Sequence, residues 1–256
     1  FQDVPGYATK KFTEVFENRD PRMRQTFMTP GFVRADKVDP YRPKLTMGGY
    51  PQVKFSPRMA EQMTWNNSYT DLPLIRYAEI LLMYVEAKAE LGELKQDDVD
   101  RTINLLRDRV GMPHASLSDW LSNIDPVQAN RYSNVSSSQK GAVYEIRRER
   151  RIELALEGFR YDDIMRWNAM KLFENPKTYL GMRVTDKVKA LYQPEVFEGS
   201  TARDLIEYNG KTYIRMYSGK SLNEAGRKWT GNDKRLYYPI PTSQITLSAS
   251  HGSLLK

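Results

Sequence analysis

Four glutamates recur at every fourth position of one segment, and this repeat constrains the fold more than any other feature of the sequence. The segment is EIRRERRIELALEG, and the four residues are Glu145, Glu149, Glu153 and Glu157. On a helix they form a single column of like charge, which destabilises an isolated helix by roughly 0.2 to 0.5 kcal/mol per pair. We therefore expect cations from other elements to face this column.

Arginines lie beside this column and on the neighbouring predicted helices. Four share its helix, namely Arg147, Arg148, Arg150 and Arg151. Five others lie on helices that we expect to pack against it, namely Arg76, Arg107, Arg109, Arg160 and Arg166. Because acids alternate with these arginines, the local charge nearly cancels, whereas phosphate binding needs a stripe of one sign. Despite a net charge of +7, we expect an ion-pair network and no nucleic-acid partner.

Apolar residues at helical spacing predict five helices, four of which form two antiparallel hairpins. Their ranges are 7–18, 73–91, 96–110, 139–157 and 159–173. Glycines are predicted to end three of them, at Gly92, Gly111 and Gly158. The sequence therefore predicts a mainly α fold.

The helix over 73–91 is predicted to lie in the core. Pro73 suits its first turn, where a missing backbone N–H costs nothing. The apolar face comprises Leu74, Ala78, Leu81 and Val85, widened by Ile75, Leu82 and Ala89. A face of this width is typical of a helix that packs against another helix.

Helical periodicity is absent from 29–71, which carries five prolines and three glycines among several aromatic residues. A loop of this length inside a compact domain is often functional. Residues 114–138 are rich in Ser and Asn and are also predicted to be loop, while short strands are predicted at 212–217 and 234–241. The expected architecture is helical hairpins with long loops and a few short β-strands, in a single domain over 1–256.

Residues that carry enzyme chemistry are scarce. There are no cysteines and only two histidines, which excludes thiolate chemistry and argues against a zinc or iron centre. The GKS segment at 219–221 lacks the earlier glycine of a phosphate-binding loop, since Ile214 stands there. Asp162 and Asp163 are helical neighbours that point about 100 degrees apart, so they do not flank one glycosidic bond. We expect no catalytic residue, no cofactor and no metal.

Four segments match motifs of a known family in the expected order. They are RYAEILLMYVEAKAELGE at 76–93, INLLRDRVGMP at 103–113, EIRRERRIELALEGFRYDDIMRW at 145–167 and LYYPIP at 236–241. Together with the DPR segment at 20–22, they resemble the C-terminal part of the SusD/RagB family of outer-membrane nutrient-binding lipoproteins. The resemblance covers about residues 14–247.

This resemblance implies tetratricopeptide-like helical hairpins that carry a loop-rich C-terminal region. It also implies a non-catalytic protein, lipid-anchored on the cell-surface side of the outer membrane, that captures glycans and delivers them to a SusC-like TonB-dependent transporter. Family members are about twice as long, so we expect the N-terminal half, with its lipid-bearing cysteine, to lie outside this chain. That half is then a further partner, and the membrane is reached only through the anchor.

The 29–71 loop offers what a sugar ring needs, which is a flat aromatic platform rimmed by hydrogen-bonding groups. Trp65 is the best single candidate, because its indole can stack while the adjacent Asn66 amide meets hydroxyl groups. The predicted ligand-binding residues are Trp65, Asn66, Tyr50, Tyr69, Tyr41 and Arg58. The family motifs assign none of these positions, because the matched segments belong to the scaffold.

Other interpretations of these aromatics remain open. Each one alone is more simply explained by packing of the loop onto the helices. Trp120, Tyr132 and Trp229 are weaker ligand candidates, and Trp167 is expected in the core. For the chain as a whole, the alternatives to glycan capture are a scaffold that binds only protein, capture of another nutrient such as peptide, and a polysaccharide-cleaving enzyme with two facing carboxylates.

Overall fold

The computed structural model describes residues 14–40, 48, 50–175, 178, 180–185, 205–216, 228–229 and 240–250. The helices are α1 Arg22–Thr26, α2 Tyr77–Glu90, α3 Gln96–Val99, α4 Leu105–Asp108, α5 Leu117–Ser122, α6 Pro126–Arg131, α7 Lys140–Glu153, α8 Arg160–Arg166 and α9 Thr242–Ser250. The short 3-10 helices are Glu14–Phe16, Ala60–Met63 and Met170–Glu174. A mainly α fold with a few short strands is therefore confirmed.

Several predictions fall partly or wholly outside the described residues. They concern Tyr41, the GKS segment at 219–221, most of the helix over 7–18 and most of the strand over 234–241. Of the helix over 7–18, the described end is the 3-10 turn Glu14–Phe16. None of the helices in the described ranges has the length and apolar character that a membrane span requires.

The main core lies where α2 packs against α7. Leu82 and Val85 of α2 meet Ala142, Val143 and Ile146 of α7, and all five side chains are fully buried. Burial of each large apolar side chain contributes roughly 1.5 to 3 kcal/mol. The antiparallel hairpins predicted from periodicity are thus built around this helix pair.

The start of α2 corrects the prediction for 73–91. The helix begins at Tyr77, and Arg76 before it has extended backbone angles, φ −108 and ψ 145. Arg76 is held there because its guanidinium binds Glu157 through Nε and Nη2, both at 2.7 Å. Pro73 therefore lies outside the helix, and Leu74 and Ile75 are 94% and 71% exposed. Their assignment to the apolar face is wrong.

The other residues of that apolar face are confirmed as core. They are Ala78, Leu81, Leu82, Val85 and Ala89. The predicted end is also confirmed, because Gly92 follows the helix with φ +74, a conformation that glycine adopts without strain. The 96–110 helix is present as α3, a π-helical turn Asp100–Asn104 and α4, followed by Gly111.

The helices predicted at 139–157 and 159–173 are both shorter than expected. The first, α7, ends at Glu153, and Leu156 behind it has φ +66. The second is α8 plus a separate 3-10 helix, divided at Asn168 with φ +49. Positive φ interrupts the helical hydrogen-bond pattern, and asparagine tolerates it better than most residues.

The prediction of loop throughout 114–138 is wrong, because α5 and α6 lie within this range. Both have the caps that short helices need. The Ser116 hydroxyl accepts a hydrogen bond from the Asp119 amide, and the Asp125 carboxylate accepts from the amides of Val127 and Gln128. Pro126 then occupies the first helical position of α6.

A small antiparallel sheet forms away from the α2–α7 core. Its strands are β1 Leu180–Arg183, β2 Leu205–Tyr208 and β3 Lys211–Arg215, in the order β1-β3-β2. An Asn209-Gly210 turn with positive φ at both residues joins β2 to β3, as two-residue hairpins prefer. The strand predicted at 212–217 is thus confirmed over 212–215, and it packs with Val15 and Phe16.

Candidate functional site

Arginines from two other segments face the glutamate column, as the sequence predicted. Arg107 Nη2 lies 3.1 Å from Glu149, and Arg109 Nη2 lies 2.8 Å from Glu153. Arg76 Nη2 lies 3.1 Å from Glu153 and 2.7 Å from Glu157. These pairs hold α7 against Arg76, which precedes α2, and against the C-terminal end of α4. The prediction that the column belongs to an ion-pair network is therefore confirmed.

Arg22 is a buried cation of this network that the sequence did not indicate, and Lys54, which pairs with Glu157, is another. Arg22 Nη1 lies 2.6 Å from Glu149 Oε1 and 3.2 Å from Glu153 Oε2, and its side chain is buried. Asp20 orients the guanidinium by accepting from Nε at 3.0 Å and Nη2 at 2.6 Å. The DPR segment at 20–22 was therefore the available signal, since it places an acid two residues before the buried arginine.

Two predicted partners of the column do not face it. Arg166 instead makes a bidentate pair with Glu86, at 2.7 Å for both bonds, and Arg160 donates to the Tyr132 hydroxyl at 3.2 Å. These two arginines of α8 are thus directed to α2 and to the residue that follows α6. Asp163 binds Arg150 and Arg166, while Asp162 is exposed, so neither aspartate is placed for glycosidase chemistry.

The two ends of the column differ in proton affinity. Burial favours the neutral form of Glu157, but hydrogen bonds from Arg76 and Lys54 outweigh it, so the pKa of Glu157 is lowered. Burial dominates at Glu145 and raises its pKa, because among the described residues only Arg148 pairs with it, at 3.1 Å. The column is therefore tightly ion-paired from Glu149 to Glu157 and weakly paired at Glu145.

A cleft of about 1130 Å³ opens beside the paired end of the column. One wall consists of α1 with the residues that follow it, and a second consists of the irregular segment 53–71. The floor includes Arg76, Arg109, Ile152 and Glu153, which belong to the ion-paired frame or adjoin it. The cleft thus combines a rigid, charged floor with walls taken from the non-helical part of the chain.

Apolar side chains line the loop walls of this cleft. They are Phe32, Val33, Val53, Phe55, Pro57, Met59, Met63 and Tyr69. Phe55 has φ +63, and its ring lies 5.9 Å from the Lys54 ammonium. Lys54 in turn donates to the backbone oxygens of Glu153 and Ala155, at 2.9 and 3.0 Å. Lys54 therefore ties the loop wall to the end of α7.

Two of the six predicted ligand residues line the cleft, namely Arg58 and Tyr69. Tyr69 is 68% exposed, and the Arg58 side chain is also exposed. Among the residues that the structure describes, neither is used to pin the loop to the helices, although Tyr69 has a weak contact to Met59, 3.9 Å from hydroxyl to sulfur. Both side chains are therefore available to a molecule that enters the cleft.

Trp65 and Asn66 occupy the tip of a turn between Met63 and Tyr69, which both line the cleft. The Asn67 amide donates to the Thr64 carbonyl at 3.3 Å and closes this turn, with Asn66 at φ +61. Trp65 is 90% exposed, and neither it nor Asn66 is part of the cleft lining. The turn exposes the Trp65 indole to solvent. In sequence, the indole is close to residues of the cleft wall.

The remaining two predicted ligand residues are not brought to the cleft. Tyr50 is half-buried and packs against Phe16 and Phe27, with ring centroids 6.3 and 6.4 Å apart. It belongs to the small cluster beside the sheet. Tyr41 lies outside the described residues.

The weaker aromatic candidates are part of the core. Trp120 and Tyr132 are buried, and Trp229 is half-buried with its ring 6.3 Å from that of Phe173. Burial removes Trp120 and Tyr132 from the ligand candidates. Trp167 is buried as predicted, and the Arg147 guanidinium stacks on it at 4.6 Å from the ring centroid.

The cleft lacks the arrangement of a glycosidase. Asp71 and Glu153 are the two carboxylates among its described lining residues. Glu153 already accepts hydrogen bonds or ion pairs from Arg22, Arg76 and Arg109, so it is committed to the frame. Within the described ranges, there is also no cluster of three residues suited to hold a metal ion.

Comparison with known proteins gives one family. The SusD family model matches residues 3–251, whereas none of the curated proteins matches the chain. The solved structures that resemble it include a SusD-like protein from Bacteroides fragilis, with a TM-score of 0.52 and 21% identity. That alignment covers 92% of this chain and 38% of the other, so the chain spans less than half the length of that relative. Because the family model matches nearly all of its residues, the chain belongs to the SusD family.

Proposed function

We propose that the protein captures glycans at the cell surface for uptake, and that the cleft walled by 53–71 is where it holds them. Proteins of the SusD family are non-catalytic binding proteins, which confirms the expectation that the chain is not an enzyme. The observation that carries the proposal is the cleft itself, whose exposed Tyr69 and Arg58 stand on a loop fixed to an ion-paired helical frame.

The chemistry of the cleft wall suits a sugar ring. Tyr69 offers a flat face for the apolar C–H side of a pyranose, and Arg58 offers donors to ring hydroxyls. Trp65, at the tip of the adjoining turn, extends the platform to a second sugar. Affinity would be modest, because ordering of an exposed loop and a flexible glycan offsets part of each contact.

The proposal extends to partners and location through the family. We propose that the whole protein hands its glycan to a SusC-like TonB-dependent transporter on the outer membrane. The lipid anchor and the N-terminal half that complete such a protein would lie outside this chain. In this arrangement the described cleft is one part of a longer capture surface.

Isothermal titration calorimetry against a panel of neutral and acidic oligosaccharides tests the proposal. Tyr69→Ala and Trp65→Ala are expected to weaken binding of the responding glycan by about 3- to 10-fold, the usual value of one aromatic contact. Tyr77→Ala is the matched control, because Tyr77 is 69% exposed but does not line the cleft. Its affinity should equal that of the unsubstituted protein.

The alternatives give different results in the same measurement. Heat from peptides but from no glycan would indicate capture of another nutrient. No heat from either class would favour a protein scaffold, and release of reducing ends during titration would indicate an enzyme. Equal weakening by Tyr77→Ala and Tyr69→Ala would show that the cleft is not the site.

A further inference from the structure

The cleft has an excess of positive charge. Its described lining contains two carboxylates and six cationic side chains, which are Arg22, Arg24, Lys54, Arg58, Arg76 and Arg109. A cleft of one dominant sign with low-dielectric walls concentrates ligands of the opposite sign. Some of these cations are already paired with carboxylates of the helical frame.

Three of the six are committed to the glutamate column. Arg22 is buried between Asp20, Glu149 and Glu153, and Arg76 binds Glu153 and Glu157. Lys54 Nζ lies 2.6 Å from Glu157. These cations therefore act as structural counter-charges and add little to the field in the cleft.

The other three retain donors. Arg109 is 49% exposed and binds Glu153 through Nη2 alone, so its Nε and Nη1 have no protein partner among the described residues. The guanidinium groups of Arg24 and Arg58 make no ion pair or hydrogen bond within the described part of the chain. Asp71 is the single unpaired carboxylate of this lining. The described lining of the cleft therefore contains three guanidiniums with unused N–H groups and one unpaired carboxylate.

We propose that the cleft is selective for acidic glycans, whose sugars carry carboxylate or sulfate groups, and this inference rests on the proposed function. A guanidinium presents paired N–H groups in a plane, which match the two oxygens of a carboxylate or sulfate. Arg24 lines the cleft from α1 and Arg58 lines it from the 53–71 segment, which also carries Tyr69. Charged substituents on neighbouring sugars would meet the arginines while a ring stacks on the tyrosine.

The acids and arginines of α7 argue against a nucleic acid as the ligand. Outside the cleft, three arginines of α7 are paired with carboxylates, namely Arg147 with Glu90, Arg148 with Asp125 and Arg150 with Asp163. A nucleic-acid backbone needs a continuous track of one sign, whereas the three described guanidiniums with unused N–H groups named above lie together in the cleft. A glycan with a few charged substituents fits that local distribution.

Calorimetric titration with matched acidic and neutral glycans tests the inference. The probes are oligosaccharides of galacturonate, alginate and chondroitin sulfate, each beside its carboxyl-reduced or desulfated counterpart, and a single-stranded oligonucleotide. We expect at least one acidic glycan to bind about tenfold or more tightly than its neutral counterpart, with affinity that falls as salt rises. Arg24→Gln should abolish most of that difference while the neutral glycan is bound as before, and Arg58→Gln should weaken binding of the acidic glycan more than that of the neutral one.

The matched control is Arg101→Gln, which removes the same charge from an exposed pair with Asp97 outside the cleft. It should leave the acidic preference unchanged, and thermal melts should be equal for all three variants. Neutral glycans bound as tightly as acidic ones would overturn the inference and leave glycan capture standing. Binding of no glycan at all would overturn both, and equal binding of the oligonucleotide would show a non-specific anion surface instead.

Discussion

Arg22 Nη1 lies 3.2 Å from Glu153 Oε2, across 131 residues of sequence. Both side chains are buried, and both residues line the cleft. The pair therefore joins α1, which begins one wall of the cleft, to the C-terminal end of α7. Because a buried charge must be matched by another in fixed geometry, this contact sets the position of the wall relative to the helical frame.

Arg22→Met is expected to lower the free energy of unfolding by about 3 kcal/mol, because it leaves buried carboxylates with fewer cations. This loss is near the lower end of the range of stability losses seen when a buried ion pair is broken, because Arg76, Arg107 and Arg109 still contact those carboxylates. Urea denaturation followed by circular dichroism measures it. Arg101→Met, in an exposed pair, is the control, with a loss below about 1 kcal/mol. Equal losses would show that the buried network does not stabilise the fold.

Glu157 and Glu145 have pKa shifts of opposite direction. Replacing each with the neutral residue glutamine should therefore change the stability of the protein in opposite directions. The lowered pKa of Glu157 gives stability above its unfolded pKa, which is lost as pH falls through the folded value. Glu157→Gln should therefore destabilise the protein at pH 7 and flatten its acid-induced loss of stability. Melting temperatures measured from pH 3 to 7 check this.

Glu145→Gln is the matched substitution on the same helix. Burial raises the pKa of Glu145, so its contribution is present below the unfolded pKa and is lost as pH rises. An amide there avoids the cost of a buried carboxylate at neutral pH, and the melting temperature at pH 7 should stay equal or rise. If Glu145→Gln lowered the melting temperature as much as Glu157→Gln does, the result would contradict the difference in environment between the two glutamates.

The longer helices and the need for cations at the glutamate column were predictable from the sequence because both depend on local spacing, whereas the short helices α5 and α6 were not. The glutamate column required cations, and three of the predicted arginines supply them. The start of α2 was not predictable, since Pro73 and the apolar pair at 74–75 satisfy every local rule for a helix. A contact between Arg76 and Glu157, distant in sequence, overrides that preference.

Gly141→Ala is expected to reverse the usual effect of this substitution in a helix. Alanine normally stabilises a helix by about 1 kcal/mol relative to glycine. A Cβ on Gly141, however, would lie 1.8 Å from the backbone oxygen of Trp120, where α5 packs on α7. We expect a loss of about 1 to 3 kcal/mol by thermal denaturation, as for overpacked cores. Lys140→Ala, exposed one residue earlier, should change stability by less than about 0.5 kcal/mol.

The corrected start of α2 predicts that two leucines differ in importance. Leu82 is fully buried, so Leu82→Ala should cost about 2 to 5 kcal/mol. Leu74→Ala should cost less than about 0.5 kcal/mol, because the side chain is already exposed. Chemical denaturation of both variants compares them. Similar losses would indicate that the helix begins at Pro73 after all.

The candidate site was less predictable than the frame. Aromatic side chains on an irregular segment have no periodicity that separates exposed from buried positions, so Tyr50 and Tyr69 are alike in the sequence. The fold distinguishes them, because Tyr50 packs on Phe16 beside the sheet and Tyr69 faces the cleft. Arg24 and Arg109 were missed as cleft residues, since their positions depend on how distant segments meet.

We propose that the ion-paired helices act as a rigid frame and that exposed loop side chains contact the ligand. Trp65 is 90% exposed, whereas Trp120 and Trp167 are buried and Trp229 is half-buried. Iodide quenching of tryptophan fluorescence therefore reports mainly on Trp65. We predict that saturating the protein with a glycan that binds in calorimetry protects the quenchable fraction of the tryptophan fluorescence from iodide. Trp65→Phe should remove this fraction. Unchanged quenching at saturation would contradict the claim.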